Sequence, residues 1–298
     1  MFLKYFFKVT LSPIFLILLI SQVFANEVKH TTSVKKQYPE IQFIRNATLK
    51  INYGKTTILI DPMLAPKGAY PSIKNAPNSN HRNPMLDLPL STKQILNNVD
   101  AVIITHTHND HWDHIAQQLI RKNMPIFVQN KEDERLVKSQ GFLNVHILNN
   151  NSKFAGISLH KISGQHGTDK LYKIPKIAKV LGKVSGIVLE APKFKTIYIA
   201  SDTLWTSEVD QAINLYKPSI IILNTGYALS NSFKDPLLMG KNDILKAYRK
   251  KPKAKIISIH MDVMNPTTLK RSKLLEYLKD KKMMDRVFVP FDGEIIKF

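Results

Sequence analysis

From Ile41 onward the chain alternates short apolar runs with segments of helical period. Ile41–Phe43, Thr48–Ile51 and Thr57–Ile60 read as successive strands of an antiparallel meander, with Tyr53-Gly54-Lys55 as a turn and Asp61-Pro62 ending the third strand. The stretch Met63–Pro89 is rich in Pro, Asn and Ser and lacks periodicity, which predicts a long loop of the kind that is often functional. Ala101–Ile104, Pro125–Val128 and Val145–Leu148 are strand-like, and Ile115–Arg121 and Glu132–Ser139 between them are helical in pattern. A second block follows, with strands Gly156–Leu159, Gly186–Leu189 and Thr196–Ala200, a helix near Ser207–Tyr216 and strand Ile220–Leu223. Helix Asp243–Arg249, strand Lys255–Ile259, helix Thr267–Leu278 and two closing strands complete it. Two β-rich blocks, each with helices, imply an α/β architecture in which two sheets pack face to face with helices outside.

The first stretch has a different pattern. Lys4 and Lys8 form a positive front, Ile14 to Ile20 is an uninterrupted apolar run, and Val23-Phe24-Ala25 fits a cleavage site before Asn26. The run is shorter than the roughly 20 residues that span a bilayer, which favours a cleaved signal peptide over a retained anchor. The expected organisation is a signal peptide at 1–25 and one domain at 26–298, exported to the periplasm or secreted.

Composition narrows the chemistry. The chain has 298 residues and is 44% hydrophobic, enough for a sizeable core and too apolar for disorder. It has no cysteine, which excludes disulfide scaffolds, thiolate metal sites, cysteine nucleophiles and anchoring through an acylated cysteine. The formal charge is +20, or +18 without residues 1–25, and calls for an acidic partner: a nucleic acid, a phosphorylated substrate or an anionic membrane.

The sharpest feature is the run Thr105-His106-Thr107-His108-Asn109-Asp110-His111-Trp112-Asp113-His114, directly after the strand Ala101–Ile104. His106 and His108, two apart in extended backbone, point to one side and can reach one ion, while Asp110 and His111 can reach a second nearby. Imidazole nitrogen with carboxylate oxygen and no sulfur suits zinc, manganese or iron. Isolated histidines such as His30, His81 and His146 are better read as structural or exposed, as is His160 on its apolar strand.

The spacing His106-x-His108-x-Asp110-His111 resembles the signature of the metallo-β-lactamase-fold hydrolases. Further landmarks occur in order: Asp61 after Ile58-Leu59-Ile60, His166 in Gly164-Gln165-His166-Gly167, Asp202 in Ala200-Ser201-Asp202-Thr203, and His260 after Ile256-Ile257-Ser258-Ile259. The resemblance extends from about Ile41 to Phe298 and implies a four-layer αββα sandwich. It implies two divalent metal ions, with Zn2+ foremost and Mn2+ or Fe as alternatives. His106, His108 and His166 would hold the first, Asp110, His111 and His260 the second, and Asp202 would bridge them. It also implies a hydroxide between the ions as nucleophile, with Asp110 orienting it and moving a proton. Asp61 would fix a ligand histidine or its loop. Asp113 and His114 would either support ligands or simply begin the next helix, Asp113 as its cap.

Without cysteine the chain departs from the best-known zinc β-lactamases. Ile60-Asp61-Pro62, Leu223-Asn224-Thr225-Gly226 and His260-Met261-Asp262 most resemble the branch of ascorbate-6-phosphate lactonase-like and N-acyl-phosphatidylethanolamine phospholipase D-like enzymes. Many relatives carry another histidine a few residues after the last ligand, where this chain has Met264-Asn265-Pro266. The expected function is an exported dinuclear hydrolase cleaving a small ester, lactone or phosphate ester. A catalytically idle metal-binding module of the same fold is the alternative.

Two segments are candidates for choosing the substrate. One is the loop Met63–Pro89, with Tyr70, His81 and Arg82 as possible contacts. The other is Lys170–Lys183, where five lysines interleave with Leu171, Ile174, Ile177 and Leu181 as in a basic amphipathic helix interrupted at Pro175. That segment reads either as a solvated face over a core stripe or as a lid that attracts anionic small molecules or rests peripherally on a membrane. Nucleic-acid processing is disfavoured, because the chain leaves no clear room for an additional arm and carries a signal-like start.

Overall fold

The computed structural model describes residues 1–3, 36–229 and 234–298. The signal-peptide expectation for residues 1–25, including Lys4 and Lys8, lies outside the described residues, as does His30. Among the described residues no helix is long and apolar enough to cross a membrane.

The body spanning residues 36–298 is built on two seven-stranded sheets. The first contains β1 (Glu40–Arg45), β2 (Thr48–Tyr53), β3 (Thr56–Ile60), β4 (Ala101–Ile104), β5 (Ile126–Val128), β6 (Val145–Ile147) and the last strand, β14 (Ile295–Ile296). Their order is β14-β1-β2-β3-β4-β5-β6. The second contains β7 (Ser152–Phe154), β8 (Ile157–Gly164), β9 (Val184–Glu190), β10 (Ile197–Ile199), β11 (Ile220–Asn224), β12 (Lys255–Ile259) and β13 (Val287–Phe288), ordered β13-β12-β11-β10-β9-β8-β7. The predicted meander is β1-β2-β3, antiparallel, with Tyr53 opposite Thr56 across the turn.

The continuous apolar runs follow from burial on both faces of each sheet. Ile58, Ile60 and Ile103 point into the core between the sheets, where they meet Ile187, Ile199, Ile222 and Ile257. Their neighbours Leu59, Val102 and Ile104 face outward against helices α1 (Thr92–Leu96), α2 (His114–Leu119) and α3 (Lys131–Ser139), through Ile95, Ala116 and Val137. On the second sheet Val188, Ile221 and Ile256 pack against α6 (Ser207–Tyr216), α7 (Lys241–Lys250) and α8 (Arg271–Asp280). The layers run helix, sheet, sheet, helix.

Three differences from the sequence pattern have local causes. Strand β8 runs on through His160 and Lys161, because its ladder with β9 continues from Ser158–Glu190 to Gly164–Val184 regardless of side-chain polarity. The basic segment splits at Pro175 into α4 (Asp169–Tyr172) and α5 (Pro175–Leu181), since proline lacks the N–H that a continuous helix needs and suits a helix's first position. Helix α8 begins at Arg271 rather than Thr267, because the N–H groups of Thr268 and Leu269 both donate to the Gly226 carbonyl instead.

Strands β3 to β6 are parallel, and so are β10 to β13. Parallel strands end on a common edge, so residues following β4, β10 and β12 are gathered at one rim of the sandwich. The loop from Met63 to Pro89 is fastened there by the buried Arg45, whose guanidinium donates to the carbonyls of Leu86 (2.8 Å), Met63 (3.1 Å) and Ala65 (2.8 Å). Burial lowers the pKa of Arg45 to about 10, an effect that Asp113, Asp292 and Asp87 partly oppose.

Candidate metal centre

The rim collects all seven residues expected to bind metal. His106, His108 and His166 offer ring nitrogens lying within 4.8 Å of one another, and Asp110, His111, Asp202 and His260 form a second group by the same measure. His106 and His111 follow β4, Asp202 follows β10, and His260 follows β12. Backbone in the left-handed region turns the chain at this rim: Asp61 has φ 46°, Ser201 has φ 63° and His260 has φ 67°. Such conformations cost about 1–3 kcal/mol each for residues other than glycine and persist where the surroundings hold them. At His260 one such constraint is Gly226, where an added Cβ would overlap the His260 carbonyl.

Hydrogen bonds assign the tautomers. Asp61 accepts from the Thr105 N–H (2.7 Å), the Thr105 hydroxyl (2.7 Å) and His111 Nδ1 (2.8 Å). His111 therefore carries its proton on Nδ1 and turns Nε2 towards Asp202 Oδ2 at 3.3 Å. Thr105 has spent its only hydroxyl proton on Asp61, so it accepts from His106 Nδ1 (3.2 Å) and from the Ser201 hydroxyl (2.7 Å). His108 Nε2 donates to the Val180 carbonyl (2.9 Å), and His166 Nδ1 donates to the Leu237 carbonyl (2.7 Å). The lone pairs left over are His106 Nε2, His108 Nδ1 and His166 Nε2.

This arrangement fits divalent cations. His106 Nε2 and His108 Nδ1 face each other at 3.1 Å with both protons committed elsewhere, a contact that repels unless a cation lies between them. His111 Nε2 is buried without a hydrogen-bond partner. Three carboxylates, Asp61, Asp110 and Asp202, share one largely buried cluster, and buried charge of one sign needs compensation. Burial drives the His106 pKa well down, and neighbouring His111 and His108 add to the effect. Burial alone would raise Asp202, but His260, His111 and His166 outweigh it and hold this carboxyl well below its usual range. Asp202 Oδ1 accepts from Asn224 Nδ2 (2.7 Å), while Oδ2 stands 3.3 Å from His111 and 3.7 Å from His166, one member of each group.

Of the supporting residues expected from the sequence, Asp61 accepts from His111, one of the candidate ligands. Asp113 is buried and caps α2 through Ala116 N–H (2.7 Å), and its other oxygen accepts from Ala65 N–H (2.7 Å). It thus pins the loop start to the helix and follows the capping reading. The expectation that His114 supports a ligand is corrected: as the first residue of α2 it points to solvent and pairs with Gln118 one turn on (2.9 Å). His160 pairs with Glu190 and packs on Tyr216, and His146 stacks on Phe127, both structural. Of the loop candidates, Tyr70 lines the cavity above the centre, whereas exposed Arg82 ties the loop to itself through Gly68 and Ala69.

Four contributors were not singled out in the sequence. Thr105, inside the motif, links His106 to the Asp61–His111 pair. Asn224 orients Asp202. Asn46 donates to the Asp110 carbonyl (3.1 Å) and accepts from the His260 N–H (2.9 Å), joining two ligands from the β1–β2 turn. Asn265 stands near where relatives carry a further histidine. It accepts from Ile73 N–H (2.8 Å) and Asn83 Nδ2 (2.8 Å) and donates to the Pro77 carbonyl (2.9 Å), clamping the long loop. Asn224 and Asn265 stood in the phrases Leu223-Asn224-Thr225-Gly226 and Met264-Asn265-Pro266, with no role given to either.

The profile of the beta-lactamase superfamily domain matches residues 56–261, which include all seven candidate ligands. The chain belongs to the beta-lactamase superfamily. Its fold is the metallo-β-lactamase fold, and a crystal structure described as a possible metal-dependent hydrolase from Veillonella parvula shares it. That structure is 44% identical, with a TM-score of 0.86, over 88% of this chain and all of its own. A structure of isothiocyanate hydrolase from Delia radicum gut bacteria is 40% identical, with a TM-score of 0.84, over 87% of this chain and 99% of its own. The UPF0173 protein YddR of Bacillus subtilis is 40% identical over 257 residues, covering 86% of this chain and 98% of YddR. The superfamily member described here is accordingly a metal-dependent hydrolase, and its candidate metal site is built of His and Asp alone.

Above this site lies a chamber of about 650 Å³. His108, Asp110, His166, Asp202 and His260 line it on the side of the metal centre. The surrounding walls are mainly apolar, among them Leu171, Ile177, Val180, Leu237, Met264 and Pro266. Helix α5 thus both walls the chamber and, through the Val180 carbonyl, fixes His108.

Proposed function

We propose that this hydrolase is exported, works with two metal ions, and adds water to isothiocyanates carrying an apolar substituent. The observation that carries this reading is the apolar chamber directly over the His/Asp cluster. An uncharged electrophile with a hydrocarbon tail suits such walls, whereas stripping water from a phosphate ester there is costly. The name of the solved relative at 40% identity supports the same substrate. Export rests on the pattern of residues 1–25.

His106, His108 and His166 would hold one ion and Asp110, His111 and His260 the other, with Asp202 between. Bound there, the ions supply Lewis acidity and a water that ionises near neutral pH. Water addition forms a carbon–oxygen bond at the central carbon while nitrogen takes a proton. The remaining proton of the thiocarbamic acid then passes to nitrogen as the carbon–nitrogen bond breaks, releasing a primary amine and carbonyl sulfide. Asp110 is the carboxylate placed to move that proton, since its side chain is 15% exposed against 2% for Asp61 and Asp202. Ile177, Leu181 and Leu237 hold the tail and keep bulk water out.

Neutral esters and lactones fit the same walls, and phosphate esters would draw on Lys74 and Lys176 at the mouth. The test is a panel of phenethyl isothiocyanate, a γ-lactone, p-nitrophenyl acetate and bis(p-nitrophenyl) phosphate with zinc-, manganese- and iron-loaded protein, using Asp202→Ala as control. The isothiocyanate is expected to show the highest kcat/KM and to lose turnover in the variant. Preference for the phosphodiester would replace the reading. Tight metal binding with no turnover of any substrate would favour the idle binding module. Export is checked by the mature N-terminus, expected at Asn26, in the periplasmic or secreted fraction.

A further inference from the structure

We propose that the mouth of the chamber docks on an anionic membrane, which delivers the apolar substrate. Lys173, Lys176, Lys179 and Lys183 are all exposed: Lys176 and Lys179 lie one turn apart on α5, and Lys173 and Lys183 lie just beyond its two ends. Lys170 pairs with Asp235 at 3.1 Å and Lys183 lies 3.8 Å from Glu132. Lys173, Lys176 and Lys179 between them make no ion pair among the described residues. Lys176 and Val180 of α5 and Ile73 and Lys74 of the long loop line the same chamber. Val180 is 72% exposed and Ile73 48%.

Exposed apolar side chains flanked by lysines match an interfacial surface, in which hydrocarbon enters the headgroup boundary and cations meet lipid charge. A polyanion such as RNA would use the lysines but gains nothing from Val180 and Ile73. The same rim opens into apolar walls, so a substrate dissolved in lipid would pass to the metal centre without crossing water. This surface also gives a role to part of the chain's +20 charge. The docking does not depend on which bond is hydrolysed.

The test is sedimentation with phosphatidylglycerol–phosphatidylcholine vesicles and with pure phosphatidylcholine vesicles, using the chain from Asn26 to Phe298 so that residues 1–25 cannot anchor it. This form retains the folded body, since the whole chain of a solved relative matches 88% of this one. The comparison is wild type against Lys173→Gln/Lys179→Gln, whose positions lie outside the chamber lining. Wild type is expected to bind only the anionic vesicles and to lose binding at high salt. The double variant is expected to bind about thirtyfold more weakly, with an unchanged thermal melt and unchanged turnover of water-soluble substrate. Equal binding of both vesicle types, or equal binding by the variant, overturns the proposal. Retention on RNA through these lysines without vesicle binding would assign the surface to a nucleic-acid partner instead.

Discussion

The floor and the roof of the chamber are built on opposite principles. In the floor, directional hydrogen bonds hold the side chains: Asp61 alone receives three, and Thr105 joins two histidines of the candidate ligand set. The roof is mostly hydrocarbon from α4, α5 and the long loop, secured at a few points such as Asn265 and the His108–Val180 bond. The difference separates two tasks. Directional bonds fix ligand atoms to within tenths of an ångström, as metal chemistry demands. Apolar contact is non-directional, so it selects by size and charge and tolerates variation. The two meet where roof carbonyls set the tautomers of floor histidines, Val180 for His108 and Leu237 for His166.

If this division is right, substitutions in each region should fail differently. The largest effect is expected from Asp202→Ala, which removes the carboxylate adjoining both ligand groups: amine release should fall to background and metal content, measured by mass spectrometry, should drop. Next is Thr105→Val, which keeps the shape but removes the hydroxyl hub. Metal affinity should weaken about 10–100-fold, with Thr105→Ser restoring it. An unchanged affinity would show that Asp61 and His106 hold without the hub. In the roof, Ile177→Ala should raise KM for an apolar substrate about tenfold while kcat stays near wild type. A fall in kcat alone would break the separation. The smallest effect belongs to His114→Ala, exposed on α2, where metal content should not change and stability should stay within about 0.5 kcal/mol of wild type by chemical denaturation.

The floor was more legible in the sequence than the roof, for a physical reason. In a chain without cysteine, metal ligands are drawn from histidine and carboxylate, so His106-x-His108-x-Asp110-His111, His166, Asp202 and His260 stand out next to apolar strands. The strands were legible because burial on both faces demands unbroken apolar runs, as in Ala101–Ile104. The residues that hold the ligands were hidden. Thr105, Asn46 and Asn265 act through long-range hydrogen bonds, and nothing in a Thr or Asn announces its partner 40 to 180 or more positions away. The roof was legible only as two segments. Leu171, Ile177 and Leu237 carry the same pattern whether they face a core or a cavity. His114 misled because its place beside the ligands in sequence becomes, at the start of a helix, a place facing solvent.

The most direct measurement is the release of primary amine and carbonyl sulfide by the metal-loaded protein from phenethyl isothiocyanate, beside its ring-carboxylated analogue. The account predicts turnover of both, abolished in Asp202→Ala, with kcat/KM at least about tenfold higher for the uncharged compound, because the carboxylate must be desolvated against the apolar roof. No amine release, or equal kcat/KM for the two compounds, would contradict it.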